Sequence, residues 1–595
     1  MTYQPPVRDF TFLLRDVLEI ERYANLPAFA DASIDTVEQV LEEAGRFCAE
    51  VLAPLNAVGD KEGCRWSPDF TVATPAGFKA AYGQFVEAGW PALGADPDFG
   101  GQGLPAVVNL AVSEMSSAAN MAFAMYPGLT HGAYAAIRNG GSAEQKALYL
   151  PRLASGQWSG TMNLTEPHCG TDLGLLRTKA VPQGDGSYRI SGQKIFISAG
   201  EHDLTENIVH LVLARIEGAP EGTKGISLFI VPKFLPDADG APGARNAVKC
   251  LSLEEKMGIH GNATCVISHE EAVGWLVGEE NRGLPLMFVM MNEARIGVAV
   301  QGLAQAEAAY QAAAAFARER LQGRSLTGPK NPDGPADPII VHPDVRRMLM
   351  DARAVIEGGR ALLLWTALHG DLARASPDAA VRQKGEDYMA LLTPVLKAFL
   401  TDRGFLIASD AMQVHGGAGF TEQVPASQYL RDSRIAMIYE GTNGVQALDL
   451  VGRKLAANGG RAVMAFFAEL DGYAAAHADD PVLQPFVDGV ARAKGELQEA
   501  TLWLMQNGVA NPDNAGAAST DYLHLFALTG LAFAWAQIAG AASAKIAAGD
   551  ADPYYANKLI TGRYFLARVL PETASRLAKL KAGAEPLMAL PADAF

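Results

Sequence analysis

Apolar residues recur three and four apart over residues 36–57, 77–89 and 109–154, with polar residues on the intervening positions. This 3.6-residue rhythm predicts amphipathic helices through the first quarter of the chain. The rhythm then changes. From about 157 to 280 the apolar residues come as short runs of Ile, Val, Phe and Thr between Gly, Asp and Pro, as in Lys194-Ile-Phe-Ile-Ser198, Ile208-Val-His-Leu-Val-Leu-Ala214 and Gly225-Ile-Ser-Leu-Phe-Ile-Val231. Such runs predict a compact β insert. Helical patterns resume over 285–321, 342–369, 385–414 and 444–457, and after Gly459-Gly460 three more follow over 463–476, 483–506 and 520–548. The expected fold class is therefore mainly α with a β insert, divided into a leader (1–35), an N-terminal helical domain (36–157), a middle β domain (158–281), a second helical domain (282–460) and an additional C-terminal helical domain (461–595).

Two stretches qualify this outline. Residues 327–338, rich in Pro and Gly, predict a surface loop between helices. Residues 522–543 carry no Asp, Glu, Lys or Arg and are long enough to span a bilayer. They also contain His524, Thr529, Gly530, Gln537 and Gly540 and have no flanking basic cluster, so a buried helix is the expectation and membrane association is not.

Charge and cysteine usage narrow the classes. With 49 Lys and Arg against 66 Asp and Glu, the formal net charge is −17, and no run concentrates the basic residues. Such a chain is a poor nucleic-acid binder. The five cysteines form no C-x-x-C pair, and a chain of this size can bury a core without disulfides, which points to a cytoplasmic protein. No metal-ligand spacing, phosphate-cradling P-loop or G-x-S-x-G elbow is present. The glycines at 101 and 103 mimic part of a dinucleotide fingerprint, but no apolar strand precedes them and Pro105 interrupts the match.

Five ordered segments remain. In Met162-Asn-Leu-Thr-Glu-Pro-His-Cys-Gly-Thr-Asp-Leu173, Thr165, Gly170 and Thr171 offer hydroxyls and free N–H groups, suiting either a capped turn or a planar, polar-edged ligand. Lys194 to Ser198 brings Phe196 and Ser198 on a strand, a pattern equally at home in a core. Asn292 and Arg295 lie on one long helix that ends near Arg320 and Gln322. Gln413-Val-His-Gly-Gly-Ala-Gly-Phe420 is a helix stop or a place of close backbone approach, and it is followed by Tyr429-Leu-Arg-Asp-Ser-Arg434. Ile438-Tyr-Glu-Gly-Thr-Asn-Gly444 places the carboxylate of Glu440 beside a helix start, where an acid is ordinarily solvent-exposed.

Taken in order, these segments resemble the acyl-CoA dehydrogenase family over about residues 160–450. The departures are Asn163, Cys169, Phe196, Ser198, Gln423 and Gln428, each where another residue type is commoner. The resemblance implies a middle β-barrel, a C-terminal four-helix bundle and an FAD cofactor. It gives Met162, Leu164, Thr165, Gly170, Thr171, Phe196, Ser198, Gln413, Gly417, Thr442 and Gly444 to the flavin, with Arg320 and Gln322 reaching the FAD diphosphate of a neighbouring subunit in a homodimer or homotetramer. Thr171, Asn292, Arg295, Tyr439 and Gly441 fall to the acyl-CoA.

Glu440 takes the place of the family's catalytic base, with Glu293 as the alternative because some relatives carry the base on that helix. Removal of the α-proton by Glu440 would accompany hydride loss from the β-carbon, and burial should raise the carboxyl pKa towards the task. The family likeness also implies electron-transferring flavoprotein as the acceptor. The leader Tyr3-x-Pro-Pro-Val-Arg-Asp9 and the segment Pro553 to Arg563 resemble the subgroup that includes 3-(methylthio)propanoyl-CoA dehydrogenases, leaving a short, medium or long acyl chain open. The competing functions are an acyl-CoA oxidase, or a flavoprotein scaffold repurposed for DNA or membrane association.

Overall fold

The computed structural model describes residues 3–595. Its first part holds α1 (Val7–Phe12), α2 (Ile34–Phe47), α3 (Ala53–Glu62), α4 (Phe78–Glu87), α5 (Ala106–Ala119), α6 (Met121–Gly140) and α7 (Ala143–Ala154). Local chemistry explains several starts. Ser33 accepts the Thr36 amide to open α2, and Ser142 with Gln145 forms a reciprocal capping box on α7. Helix α5 has no cap of its own, because Pro105 precedes it; the carboxylate of Asp371, far along the chain, accepts the Ala106 and Val107 amides at 2.9 Å each.

Seven strands form the middle sheet: β1 (Trp158–Asn163), β2 (Lys179–Pro182), β3 (Tyr188–Ser198), β4 (Asn207–Ile216), β5 (Ser227–Pro232), β6 (Val248–Leu253) and β7 (Thr264–Val277). The order β7-β3-β2-β4 is closed by β5, which pairs with both β4 and β7, so the sheet is a barrel flanked by β1 and β6. Closure leaves those strands without free edges. The inside is packed with Ile190, Val212, Phe229 and Ile267.

The second helical part contains α8 (Gly283–Glu319), α9 (Pro343–Ala375), α10 (Ala379–Val414), α11 (Ala426–Arg434) and α12 (Asn443–Asp449). Helices α8 and α10 cross at paired glycines. A Cβ added at Gly404 would lie 2.3 Å from the Gly302 carbonyl oxygen, and one at Gly302 would lie 2.7 Å from that of Leu400, so only glycine permits this approach.

Beyond Gly460 lie α13 (Arg461–Ala476), α14 (Gln484–Ala510), α15 (Pro512–Ala547), α16 (Pro553–Tyr564) and α17 (Glu572–Lys581). This block is not a detached globule. One continuous apolar cluster includes Phe10 of α1, Val108 of α5, Leu303 of α8, Leu363 of α9, Leu396 of α10, Phe526 of α15 and Leu580 of α17. Trp535 of α15 donates its indole N–H to the Ala354 carbonyl at 2.9 Å, against the bare backbone of Gly358. The most apolar window of α15 is 83% buried inside the chain, which accounts for the uncharged stretch as core.

Candidate active site

Glu440 sits two residues before Thr442, whose hydroxyl accepts the Val445 amide and caps α12. Its backbone is left-handed at φ +58°, followed by Gly441 at φ +84°. A non-glycine residue in that region stores strain that the surroundings must hold. The surroundings do so through the carbonyls. Arg295 Nε donates to the Glu440 carbonyl at 3.3 Å and Gln446 Nε2 donates to it at 3.1 Å. Lys397 Nζ donates to the Gly441 carbonyl at 2.8 Å, and Gln446 reaches the same oxygen at 3.2 Å.

Deep placement sets the electrostatics. Burial pushes the Glu440 carboxyl up to about 7, although the charges of Arg295 and Lys397 pull the other way. Part of the residue's surface stays open to the cavity described below. A carboxyl poised near neutrality can take up or release a proton at physiological pH. Lys397 is lowered to about 8, chiefly by its own burial. Tyr439 next door donates its hydroxyl to Gln301 Oε1 of α8.

The cavity has a volume of about 230 Å³ and runs between α5, α6, α8 and α9. Glu440, Ser198, Gly297, Gln301, Met125 and Met389 are among its walls. Glu293 also lines it, but its carboxylate is half-exposed and stands 3.8 Å from Arg374 and 3.9 Å from His131. Both carboxylates considered for the base thus face one space, with Glu440 the more deeply set.

The flavin-signature residues gather on the barrel rim. Ile195 donates its amide to the Thr165 carbonyl at 2.9 Å, and the Lys194 ammonium donates to the Leu164 carbonyl and to the buried Glu166. These bonds lock the first signature loop to β3. A β-bulge follows, since Ile197 pairs with Cys265 but Lys194 with Ile267. It places Phe196 at φ +58° and leaves the ring 59% exposed. An exposed aromatic held in a strained bulge, beside exposed Gly170 and Thr171 and half-buried Met162, Leu164, Thr165 and Ser198, fits a planar ligand with polar edges such as an isoalloxazine.

The remaining positions divide by location. Asn292 is exposed one turn from Arg295, and Arg295 Nη1 donates to its side-chain Oδ1 at 3.4 Å. Thr442 and Gly444 are exposed at the start of α12. Gln413 and Gly417 are exposed where α10 ends. Arg431 pairs with Asp60 at 2.8 Å, and Asp432 accepts the Ile259 amide, so this segment clamps α11 to α3 and the barrel. Arg320 and Gln322 are exposed past the far end of α8, which at 1.5 Å per residue is about 38 Å from Arg295. Within one chain they lie far from Arg295, which contacts the Glu440 carbonyl.

Sequence reading passed over Lys397, Gln446, Asn443 and Gln301. Only Lys397 left a trace there, as a lone cation in the apolar run from Leu391 to Leu400.

Comparison with known proteins identifies the family. Family models match the acyl-CoA dehydrogenase N-terminal domain over residues 35–157, its middle domain over 161–272 and its C-terminal domain over 281–455. An acetyl-CoA dehydrogenase C-terminal-like model matches 465–591. The chain belongs to the acyl-CoA dehydrogenase family, a family of FAD-dependent oxidoreductases. It is 44% identical to the 3-methylmercaptopropionyl-CoA dehydrogenase of Ruegeria pomeroyi, over 98% of each chain. It is 36% identical to a broad-specificity linear acyl-CoA dehydrogenase of Mycobacterium tuberculosis, over 96% of each. Its fold is similar to that of the Bacillus anthracis acyl-CoA dehydrogenase complexed with FAD, with a TM-score of 0.73 and 21% identity over 91% of this chain and 88% of that one.

Proposed function

We propose that the protein removes the α- and β-hydrogens of a short acyl-CoA thioester to give the 2-enoyl-CoA, with 3-(methylthio)propanoyl-CoA the leading substrate. The observation carrying this reading is Glu440, a carboxylate held near neutrality on the wall of the cavity, on a backbone pinned by three side chains. Its oxygen receives the α-proton as the α-C–H bond breaks. FAD, when bound, supplies the acceptor for the β-hydrogen as hydride. The cation of Arg295 beside the Glu440 carbonyl and the hydroxyl of Tyr439 hold the segment, and Met125 and Met389 keep water from the acyl chain.

The short chain is favoured because about 230 Å³ is small beside the roughly 300–1,000 Å³ of pockets for drug-sized ligands. The R. pomeroyi relative, named for a thioether substrate, supports the same class. Phe196, Ser198, Thr165, Gly170, Thr171, Thr442 and Gly444 hold the flavin, completed by Arg320 and Gln322 from a second copy, and electrons leave to electron-transferring flavoprotein. The test is an anaerobic titration of the yellow protein with butanoyl-, 3-(methylthio)propanoyl-, octanoyl- and palmitoyl-CoA. Fast bleaching by the first two supports the reading; bleaching by palmitoyl-CoA alone overturns the short-chain assignment, and bleaching by none overturns the activity. Glu440→Gln should keep its flavin and lose bleaching by several orders of magnitude, whereas retained bleaching moves the base to Glu293.

A further inference from the structure

A chain of hydrogen bonds leads from the C-terminal block to the segment bearing Glu440. His524 of α15 places Nε2 2.9 Å from Asp402 Oδ2 on α10. The other oxygen, Asp402 Oδ1, accepts from Asn443 Nδ2 at 2.7 Å. Asn443 is the first residue of α12, three residues after Glu440, and its Oδ1 accepts from Lys397 Nζ at 2.8 Å. The same ammonium grips the Gly441 carbonyl at 2.8 Å. Asn443 Nδ2 is steadied further by Thr401 Oγ1 at 2.9 Å.

The imidazole is expensive where it stands. His524 is 6% exposed, its ring meets Phe399 edge-on at 5.5 Å, and its Nδ1 has no hydrogen-bond partner among the described residues. Burying a polar ring with one nitrogen unsatisfied costs stability that an apolar residue in this core helix would avoid. Among the described residues its single polar contact is the Asp402 carboxylate, which fixes Nε2 as the donating nitrogen. Asp402 in turn favours the charged form of Lys397. A carboxylate with donors on both oxygens is held in one rotamer, and with it the Asn443 amide.

We propose that the C-terminal block is a working part of the catalytic site: His524 is a positioning residue that, through Asp402 and Asn443, fixes the 440–443 segment and hence the aim of the Glu440 carboxylate. This rests on the reading of Glu440 as the base. Loss of the His524 donor frees Asp402 to turn towards Asn443 and Lys397, which loosens the grip on Gly441. A displacement on the order of 1 Å at a reacting group can cost about a hundred-fold in rate.

The experiment compares full-length, flavin-loaded wild type, His524→Leu and His524→Gln. The readouts are the anaerobic flavin reduction rate at saturating 3-(methylthio)propanoyl-CoA, or the best acyl-CoA of the titration above, the half-saturating concentration, and hydrogen–deuterium exchange over residues 438–449 without substrate. His524→Leu should slow reduction by about ten-fold or more with half-saturation unchanged, and exchange in 438–449 should quicken. His524→Gln, whose amide nitrogen can reach Asp402, should restore both. Wild-type rate and exchange in the leucine variant would overturn the proposal, as would a glutamine variant that melts like wild type yet is as slow as leucine. Should the leucine variant fail to fold, Asp402→Asn carries the same test, with slowed reduction and quickened exchange supporting the relay and wild-type values refuting it. Glu440→Gln run alongside separates the two readings: if it still turns over, the base assignment fails whatever the His524 variants do.

Discussion

Lys397 Nζ stands 2.8 Å from the carbonyl oxygen of Gly441, so a buried cation on α10 holds the residue next to Glu440 by its backbone. This one contact serves geometry and charge together. The ammonium fixes a left-handed glycine, and its field draws the Glu440 pKa down against the larger effect of burial.

Replacing Lys397 by methionine should therefore raise the Glu440 pKa. The sign follows from the charges: a nearby cation stabilises the carboxylate, so its removal favours the protonated acid. In the wild type, kcat/KM should fall as pH drops through about 7, where the free enzyme's Glu440 takes up its proton. In Lys397→Met that limb should move up by about one unit, with a loss near ten-fold at pH 6–7 that narrows at pH 9. A pH profile of kcat/KM with unchanged flavin content checks this. A limb still at about 7 would mean that the Lys397 charge does not reach the carboxylate.

Gly297 lies on the cavity-facing side of α8, and a Cβ built there meets nothing within 4 Å. In the proposed reading this open space takes the acyl chain. Gly297→Ala should stabilise the helix by about 0.5–1 kcal/mol, and Gly297→Leu should fill the space. The leucine variant should lose octanoyl-CoA bleaching by at least ten-fold more than butanoyl-CoA bleaching, as one buried CH₂ contributes about 0.8 kcal/mol and several would be displaced. Equal losses on both substrates would place the acyl tail elsewhere.

Much of this arrangement was legible in the sequence, and the rest has identifiable reasons for its silence. The period change at about residue 157 and its return near 285 coincide with the end of α7 and the start of α8, because amphipathic spacing is a local property. The five segments pointed to Glu440, Thr171, Phe196 and Arg295 through their resemblance to the family, since each segment alone also reads as a turn, a helix stop or a core strand. The cap on α5 could not be seen, since Asp371 supplies it from 264 positions away. The roles of Lys397 and His524 could not be seen either, since only the packing of α15 and α10 puts these side chains behind α12. Helices α1 and α16 likewise meet through Tyr554 and Asp9 at 2.8 Å, and α17 packs on α14 and α15.

Arg320 and Gln322 are exposed at the far end of α8, and their proposed flavin contact is with a site built by another copy. Arg320→Ala should lower FAD retention by about ten-fold or more in affinity, the size of a lost charge-assisted hydrogen bond. The ratio of flavin to protein absorbance after gel filtration reads this directly. A subunit-mixing experiment adds the geometry. Hybrids of Arg320→Ala with the inactive Glu440→Gln should regain activity, because one site then has both an intact Glu440 and an intact Arg320 from its neighbour. Absence of complementation in demonstrable hybrids would place both groups in the same subunit's site.

The buried guanidinium of Arg360 on α9 joins three carboxylates from three parts of the chain. It donates to Asp9 of the leader at 2.7 Å, to Glu114 of α5 at 2.9 Å through Nε and to Glu307 of α8 at 2.6 Å. Asp9 also receives Tyr554 and Lys558 from α16. Removing the cation as Arg360→Met leaves three buried acids facing one another, which should cost about 3–5 kcal/mol. Arg360→Lys should lose less, since one ammonium keeps the charge but cannot serve three separate oxygens in fixed directions. Glu114 gives the loss a pH dependence. Burial already lifts it to about 7 in the fold, above its unfolded value, so the folded state binds more protons between the two values and stability falls as pH rises through that window. Without Arg360 the folded value moves higher still, and the window widens upward. The melting temperature of Arg360→Met should therefore lie further below wild type at pH 8 than at pH 6. Equal deficits at the two pH values would show that Glu114 is already ionised in the variant, and no deficit at pH 8 would remove Arg360 from the bonds that hold the leader to the helical core.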